Sequence, residues 1–372
     1  MLRTIKPKFF KYKNGKLPLP VFFPDATRAV IRSLDTSDLE ATKTNGILVN
    51  TFHLWKDMNK NILSKAGGIG PFMDFDGAII SDSGGFQVGS MIKKNPGVGY
   101  VDDEGAHFKI DGKKGYLTLT PEDSVRFQME LGSDMVVVLD DFDAPDATEE
   151  ENLESVKRTI RWAEKSKTEF EKICVKKKLT KKNRPYILGV IQGGRYKRLR
   201  KYCIDALVDL GFDGFGYGGE EKIKGMVNHD ISKFVADNTP GGLLLYALGV
   251  GKPEDIVALS KLGYTIFDCV LPTRDARHKR MYVYNADSIE EINIKSPDFY
   301  SFYTPDKTKY LDDLSPVSKA CDCVTCTRYS RGYLAHLFKI GDFTAGRLAT
   351  IHNLRFYSIL MEKIREQNRS RK

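Results

Sequence analysis

Cys321, Cys323 and Cys326 stand within six residues as C-x-C-x2-C, and His352 follows in the stretch Ala345–Tyr357, which has helical periodicity. Three thiolates and one imidazole make the closed tetrahedral donor set of a structural zinc, with no position left open for water. The plainer alternative is three buried thiols, but a core seldom uses cysteines packed this tightly. His336 is a rival fourth ligand, ten residues after Cys326, and ranks below His352. The remaining cysteines, Cys174, Cys203 and Cys269, are scattered. The six therefore do not form a disulfide framework; they point to a reducing compartment and a local metal site.

A second group of residues could do proton and carbonyl chemistry. Ser81-Asp82-Ser83-Gly84-Gly85-Phe86-Gln87 puts an acid at a strand end, followed by a glycine pair that lets backbone approach a ligand. Val138-Leu139-Asp140-Asp141 ends another apolar run in two carboxylates. Gly189-Val190-Ile191-Gln192-Gly193-Gly194 ends a third in an amide and two glycines. Ile266-Phe267-Asp268-Cys269 carries an acid inside an apolar run, and Pro272-Thr273-Arg274 and Arg277 follow. Each segment alone reads equally as a capped helix start or a turn. Together they place polar groups after several strands, which is where a parallel barrel builds its active site.

The elements that must hold these groups follow from the pattern. Strands are expected near Val21–Phe23, Ile47–Phe52, Ala78–Ser81, Met135–Leu139, Tyr186–Ile191, Gly214–Tyr217, Leu243–Leu248 and Thr265–Leu271. Helix starts are marked at Thr36, at Thr120-Pro121-Glu122-Asp123 and at Pro253-Glu254-Asp255. Eight strands alternating with helices predict a (β/α)8 TIM barrel over residues 1–290, with a doubly wound sheet as the alternative. The stretch from Ser81 to Met135 is too long for one strand–helix unit and predicts an inserted β-hairpin within Tyr100–Leu119. Residues 291–372 read as a C-terminal zinc-binding subdomain packed on the barrel.

With 372 residues, 41% hydrophobic and 29% charged, the chain can bury a large core. There is no apolar run long enough to span a bilayer and no secretory signal after Met1, so a cytoplasmic protein is expected. The net charge of +9 favours an acidic partner such as nucleic acid. Basic stretches recur at Lys157–Lys182, Arg195–Lys201, Arg274–Arg280 and Arg365–Lys372, and a solvated face is the default reading of the first.

Six segments in order, DSGGFQV, GVIQGG, LGVGKPEDI, FDCVLPTRDARH, CDCVTCTRYSRGYLAHL and TIHNLRFY, resemble the tRNA-guanine transglycosylases. The likeness runs from about Val49 to Tyr357. It implies a zinc-containing pentosyltransferase that exchanges a tRNA guanine, at the wobble position, for a 7-deazaguanine base in queuosine biosynthesis. By that resemblance Asp268 is the nucleophile at ribose C1′, and Asp82 the general acid/base. Asp140 accepts from the N1–H and amine of the base, Gln192 and the Gly219 amide bind its carbonyl edge, and Phe86 stacks on its ring. Tyr246 and Leu248 line the pocket, Arg274 and Arg277 grip anticodon phosphates, and Asn50 lies near the ribose. The family also implies a homodimer, and the longer archaeal type, with its additional RNA-binding domain, is not expected.

Two departures bear on the incoming base. After Asp140 the family's Glu-Cys-Thr-Pro is replaced by Asp141-Phe142-Asp143-Ala144-Pro145. The pocket strand reads Gly214-Phe215-Gly216-Tyr217-Gly218-Gly219-Glu220, and Gly218 is expected to enlarge the pocket in favour of queuine over 7-aminomethyl-7-deazaguanine, unless Phe142 refills the space. The rivals are a DNA-guanine transglycosylase and a non-catalytic RNA-binding partner subunit. Retention of Asp82, Asp140 and Asp268 speaks against the second.

Overall fold

The computed structural model describes residues 7–58, 60–109, 115–219, 222–223, 225–305 and 310–369. Short strands rich in apolar residues run parallel through its centre. They are β1 (Val21–Pro24), β2 (Gly46–Val49), β3 (Ala78–Ser81), β4 (Met135–Val137), β5 (Tyr186–Ile191), β6 (Gly214–Tyr217), β7 (Leu244–Ala247) and β8 (Ile266–Cys269). Their hydrogen-bonded order is β1-β8-β7-β6-β5-β4-β3-β2. The ring is closed by a bridge between Asp25 and Leu48, where the Ala26 N–H donates to the Leu48 carbonyl at 2.7 Å. The first and last strands pair, so the expected barrel forms and the open-sheet alternative falls.

The period-two alternation of a strand decides which residues face inward. Val21, Phe23, Ala78, Ile80, Met135, Val137, Leu188, Val190, Leu244, Tyr246 and Ile266 form one cluster inside the barrel. Their neighbours Phe22, Ile79, Val136, Phe215, Leu245 and Phe267 are buried elsewhere, in the layer between sheet and helices. Asp268, two residues after Ile266, therefore continues the inward row at the C-terminal mouth. An antiparallel hairpin, Phe9–Tyr12 with Gly15–Pro18, places Phe10 and Leu17 in the inner cluster and plugs the opposite end. No sequence expectation covered that hairpin.

Local chemistry moved several boundaries. The strand expected over Ile47–Phe52 ends at Val49, because Asn50 leaves the sheet to cap the helix Thr51–Asp57, its side chain accepting from the His53 N–H. The strand expected to reach Leu271 stops at Cys269, since Pro272 lies in the first turn of the helix Leu271–Arg277. Asp35, not Thr36, caps the helix Thr36–Ala41. The Thr120 cap and the Pro253 start stand as read. The insertion after β3 is a three-stranded sheet, Gly99–Val101, Ala106–Phe108 and Leu117–Leu119, rather than a hairpin alone.

Beyond the barrel, Met281–Tyr284 pairs antiparallel with Tyr300–Tyr303, and three helices follow, Val324–Arg328, Arg331–Ile340 and Phe343–Arg369. The last helix is the tie between this region and the barrel. Tyr357 donates to the Gly251 carbonyl at 2.6 Å, and the Asn353 amide donates to the Pro272 and Arg280 carbonyls at 2.9 and 3.1 Å. Among the described residues, no helix is long and apolar enough to cross a membrane.

Candidate active site

Of the four acids singled out by position, Asp82, Asp140 and Asp268 reach the C-terminal mouth, and Asp141 does not. Asp268 Oδ1 accepts from the Tyr246 hydroxyl at 2.6 Å and the Gly249 N–H at 2.8 Å, so β7 and the turn after it aim the β8 carboxylate. Tyr246 is fully buried, and desolvation together with the Asp268 and Asp82 charges raises its pKa well above the ordinary phenol value. It stays a neutral donor at physiological pH.

Asp82 follows β3. Its Oδ2 accepts from the Asn50 amide at 2.6 Å, and its Oδ1 from the Thr51 and Gly84 N–H groups at 3.0 and 3.1 Å. Thr51 opens a helix, so the carboxylate sits where free N–H groups converge. Burial nevertheless dominates. Desolvation pushes the Asp82 pKa up to about 7, these donors oppose it, and the Asp268 charge adds to it. A carboxyl balanced near neutrality can both give and take a proton.

Strand alternation separates the paired acids after β4. Asp140 turns inward and accepts from Gln192 Nε2 at 2.6 Å, while Asp141 turns out to the helix Glu149–Lys176 and pairs with Arg158. Desolvation first, then the Asp141 charge, raises Asp140 to about 6 against the Gln192 bond. Carboxylate and amide side by side offer an acceptor and a donor to one edge of a flat heterocycle. Gly219 lies against Gln192 with φ 54°, a conformation that favours glycine, and a Cβ there would lie 2.6 Å from Gln192 Oε1.

The room expected at Gly218 is filled. A Cβ on Gly218 would lie 2.5 Å from Gln192 Nε2 and 2.6 Å from Val190 Cγ1, so the glycine makes space for Gln192 rather than for a larger substrate. Leu248 likewise occupies the volume beside Gly216, 2.9 Å from a built Cβ. Phe142 packs on the helix Gly85–Lys94 and stacks on Phe86, with centroids 5.3 Å apart and planes at 23°. Glu220, the end of that motif, lies outside the described residues, as do residues 370–372 of the last basic stretch.

Arg274 and Arg277 lie on the helix that leaves β8, the first exposed and the second half-buried. Burial lowers the Arg277 pKa, and the Arg32 and Arg274 charges add to the effect. Exposed Arg32 thus belongs to the same cationic rim, although nothing in its sequence context marked it.

The Cys321, Cys323, Cys326 and His352 ligand atoms lie within 4.8 Å of one another, a set able to hold a metal ion. His352 Nδ1 stands 3.2 Å from Cys326 Sγ and 3.7 Å from Cys323 Sγ. Its Nε2 lies 2.7 Å from the Tyr282 carbonyl; a proton on Nε2 for that bond leaves Nδ1 as the ligating nitrogen. His336 is exposed and outside the set, so it drops out as a ligand. Buried Arg355 pairs with both Asp322 and Glu362, holding the C-x-C turn to the last helix.

Arg200 is the residue that sequence reasoning passed over. Fully buried, it donates to the carbonyls of Ile191, Gly194, Gly218 and Gly219 at 2.7–2.9 Å, stapling the loops that carry Gln192 and Gly219. It stood within a basic stretch, yet its spacing from Cys203, Ile204 and Leu207 puts it on the apolar face of the helix Lys197–Asp209. Arg200→Met should lower the unfolding free energy in urea by about 2–4 kcal/mol, since four buried carbonyls lose a charged donor. Arg200→Lys should recover little, because one ammonium cannot span the fork. A loss below about 1 kcal/mol would contradict the stapling role.

A family model described as queuine tRNA-ribosyltransferase matches residues 8–370. A queuine tRNA-ribosyltransferase of Shewanella halifaxensis is 37% identical over 361 residues, covering 95% of this chain and 87% of the relative. One from Shewanella sp. strain W3-18-1 is 36% identical over 359 residues, covering 95% and 88%. The chain therefore belongs to the queuine tRNA-ribosyltransferase family of tRNA-guanine transglycosylase enzymes.

Proposed function

We propose that the protein exchanges a guanine of tRNA for a 7-deazaguanine base through a covalent aspartyl-ribose intermediate. The observation that carries the reading is the convergence of Asp82, Asp140 and Asp268 on one barrel mouth, with Asp82 raised to about 7. Asp268, aimed by Tyr246 and Gly249, is the nucleophile: its carboxylate bonds to C1′ of the target nucleotide as the C1′–N9 bond breaks. Protonated Asp82 gives its proton to the departing guanine. The resulting Asp82 carboxylate then takes the N9 proton of the incoming base, whose nitrogen displaces Asp268 from C1′. Atoms balance as one base for another, and no oxidant or reductant is needed.

Asp140, Gln192 and the Gly219 amide read the edge of the base; Phe86, Tyr246 and Leu248 enclose its ring. Asn50, the donor to Asp82, sits on the ribose side. Arg274 and Arg277, joined by Arg32, hold RNA phosphates. Gly218 is spoken for by Gln192, so this glycine does not enlarge the pocket for queuine over 7-aminomethyl-7-deazaguanine. The catalytic barrel is assigned up to the helix Leu271–Arg277, and the metal-binding subdomain from the strand Met281–Tyr284 onward rather than from residue 291, because that strand pairs with Tyr300–Tyr303. The donor set fits one structural zinc, with all four positions taken by protein, so the ion supplies folding energy and no open site for chemistry. The family supports a homodimer acting on tRNA in the cytoplasm.

Asp268→Asn should abolish exchange and also the adduct that wild type traps with tRNA on a denaturing gel, while the thermal unfolding midpoint stays near wild type. An adduct that survives the substitution would make another residue the nucleophile. Metal analysis should give about one zinc per chain. Cys323→Ala should lose the zinc and lower the unfolding midpoint, because binding and folding of the last helices are linked; a zinc-free variant of unchanged stability would remove the structural role.

A further inference from the structure

Phe86 opens the helix Gly85–Lys94 and is 65% exposed, a position in which a free aromatic side chain would sample several rotamers. It is not left free, because the Phe142 ring is stacked against it. Phe142 is itself seated by the same helix. Phe86, Gly89 and Lys93 are spaced i, i+3 and i+7, so they share one face. A Cβ on Gly89 would lie 2.9 Å from Phe142 Cε1 and 3.2 Å from Cζ, so the bare glycine provides the seat. The Lys93 ammonium lies 4.2 Å from the centroid of the Phe142 ring and donates to the Phe142 carbonyl.

The other end of this arrangement is fixed by the loop that follows β4. Residues 140–143 turn alternately: Asp140 to Gln192, Asp141 to Arg158, Phe142 to the helix and Asp143 to Ser155. The loop that presents an acid to the base edge thereby also sets the ring stacked on Phe86. We propose that Phe142 is a positioning residue for the incoming base, holding Phe86 as a preformed platform on which the base stacks. The proposal rests on the transglycosylase reading of the site. It is also the place where this chain departs from the family pattern after Asp140, and Phe142 acts there by ordering Phe86 rather than by filling the pocket.

The test is steady-state exchange on tRNA, with labelled guanine as the varied base, for wild type, Phe142→Ala, Phe142→Tyr, Phe86→Ala and the Phe86→Ala/Phe142→Ala double variant. Phe142→Ala should raise KM for guanine about three- to tenfold, the scale of one aromatic pair. Its kcat, its KM for tRNA and its melting temperature should stay near wild type. Phe142→Tyr should restore the base KM, and Phe142→Ala should have no further effect once Phe86 is gone. An unchanged base KM, a parallel loss in kcat and tRNA KM, or equal effects with and without Phe86 would each overturn the proposal. A wild type without exchange would instead fail the transglycosylase reading. Equilibrium dialysis of labelled guanine over the same variants would then decide the role of Phe142 directly, with the same order of affinities expected.

Discussion

Gathering three half-buried carboxylates at the mouth of one barrel, with Asp82 and Asp140 desolvated, is the constraint on which the rest of the site depends. A buried carboxylate drifts towards its protonated form unless donors hold it ionised. Asp82 has two backbone N–H groups and the Asn50 amide, yet desolvation still carries it to about 7. Asp140 has the Gln192 amide and rises to about 6. Asp268 takes a buried phenol and a backbone N–H. Three acids of the same type thus receive three different surroundings, and environments that separate acids in this way are how a site divides nucleophilic, proton-transfer and binding work.

Donors can serve this purpose only if they do not move, and the scaffold supplies that rigidity from behind. Arg200 ties together four carbonyls of the Gln192 and Gly219 loops. On the other side, the helix Phe343–Arg369 gives His352 to the metal cluster, Asn353 to the segment after Asp268, and Tyr357 to the turn after β7. A metal at the cluster would hold in place the helix that braces the barrel mouth. Such a link would let a closed four-ligand site support the proposed base exchange by bracing the barrel mouth.

Much of this was legible in the residues themselves. Short apolar runs marked all eight strands, and acids placed after them marked the mouth. The spacing of Cys321, Cys323 and Cys326 required a fourth ligand, and His352 stood on a helix able to deliver it. What stayed hidden depended on side-chain neighbours far apart in the chain. Asp140 and Asp141 are adjacent and alike, and only the register of β4 sends one inward. Gly218 reads as spare room until Gln192, 26 residues earlier, is seen to occupy it. Arg200 reads as one more surface charge unless its helical spacing is weighed above its type. The plug formed by Phe10 and Leu17 escaped notice because each of its strands buries a single side chain and is otherwise exposed or half-exposed, so no apolar run marks it.

The reaction assigned here predicts one event that neither a DNA-directed enzyme nor a silent RNA-binding subunit would produce. Radiolabelled guanine should be incubated with the purified protein and, in parallel, with unmodified tRNA and with DNA, and the label remaining in acid-precipitable nucleic acid counted. Label entering tRNA at a single guanine, and staying out of DNA, is the result expected of Asp82, Asp140 and Asp268 working together at the barrel mouth. Label entering DNA alone would transfer the chemistry to another substrate, and label entering neither would contradict base exchange altogether.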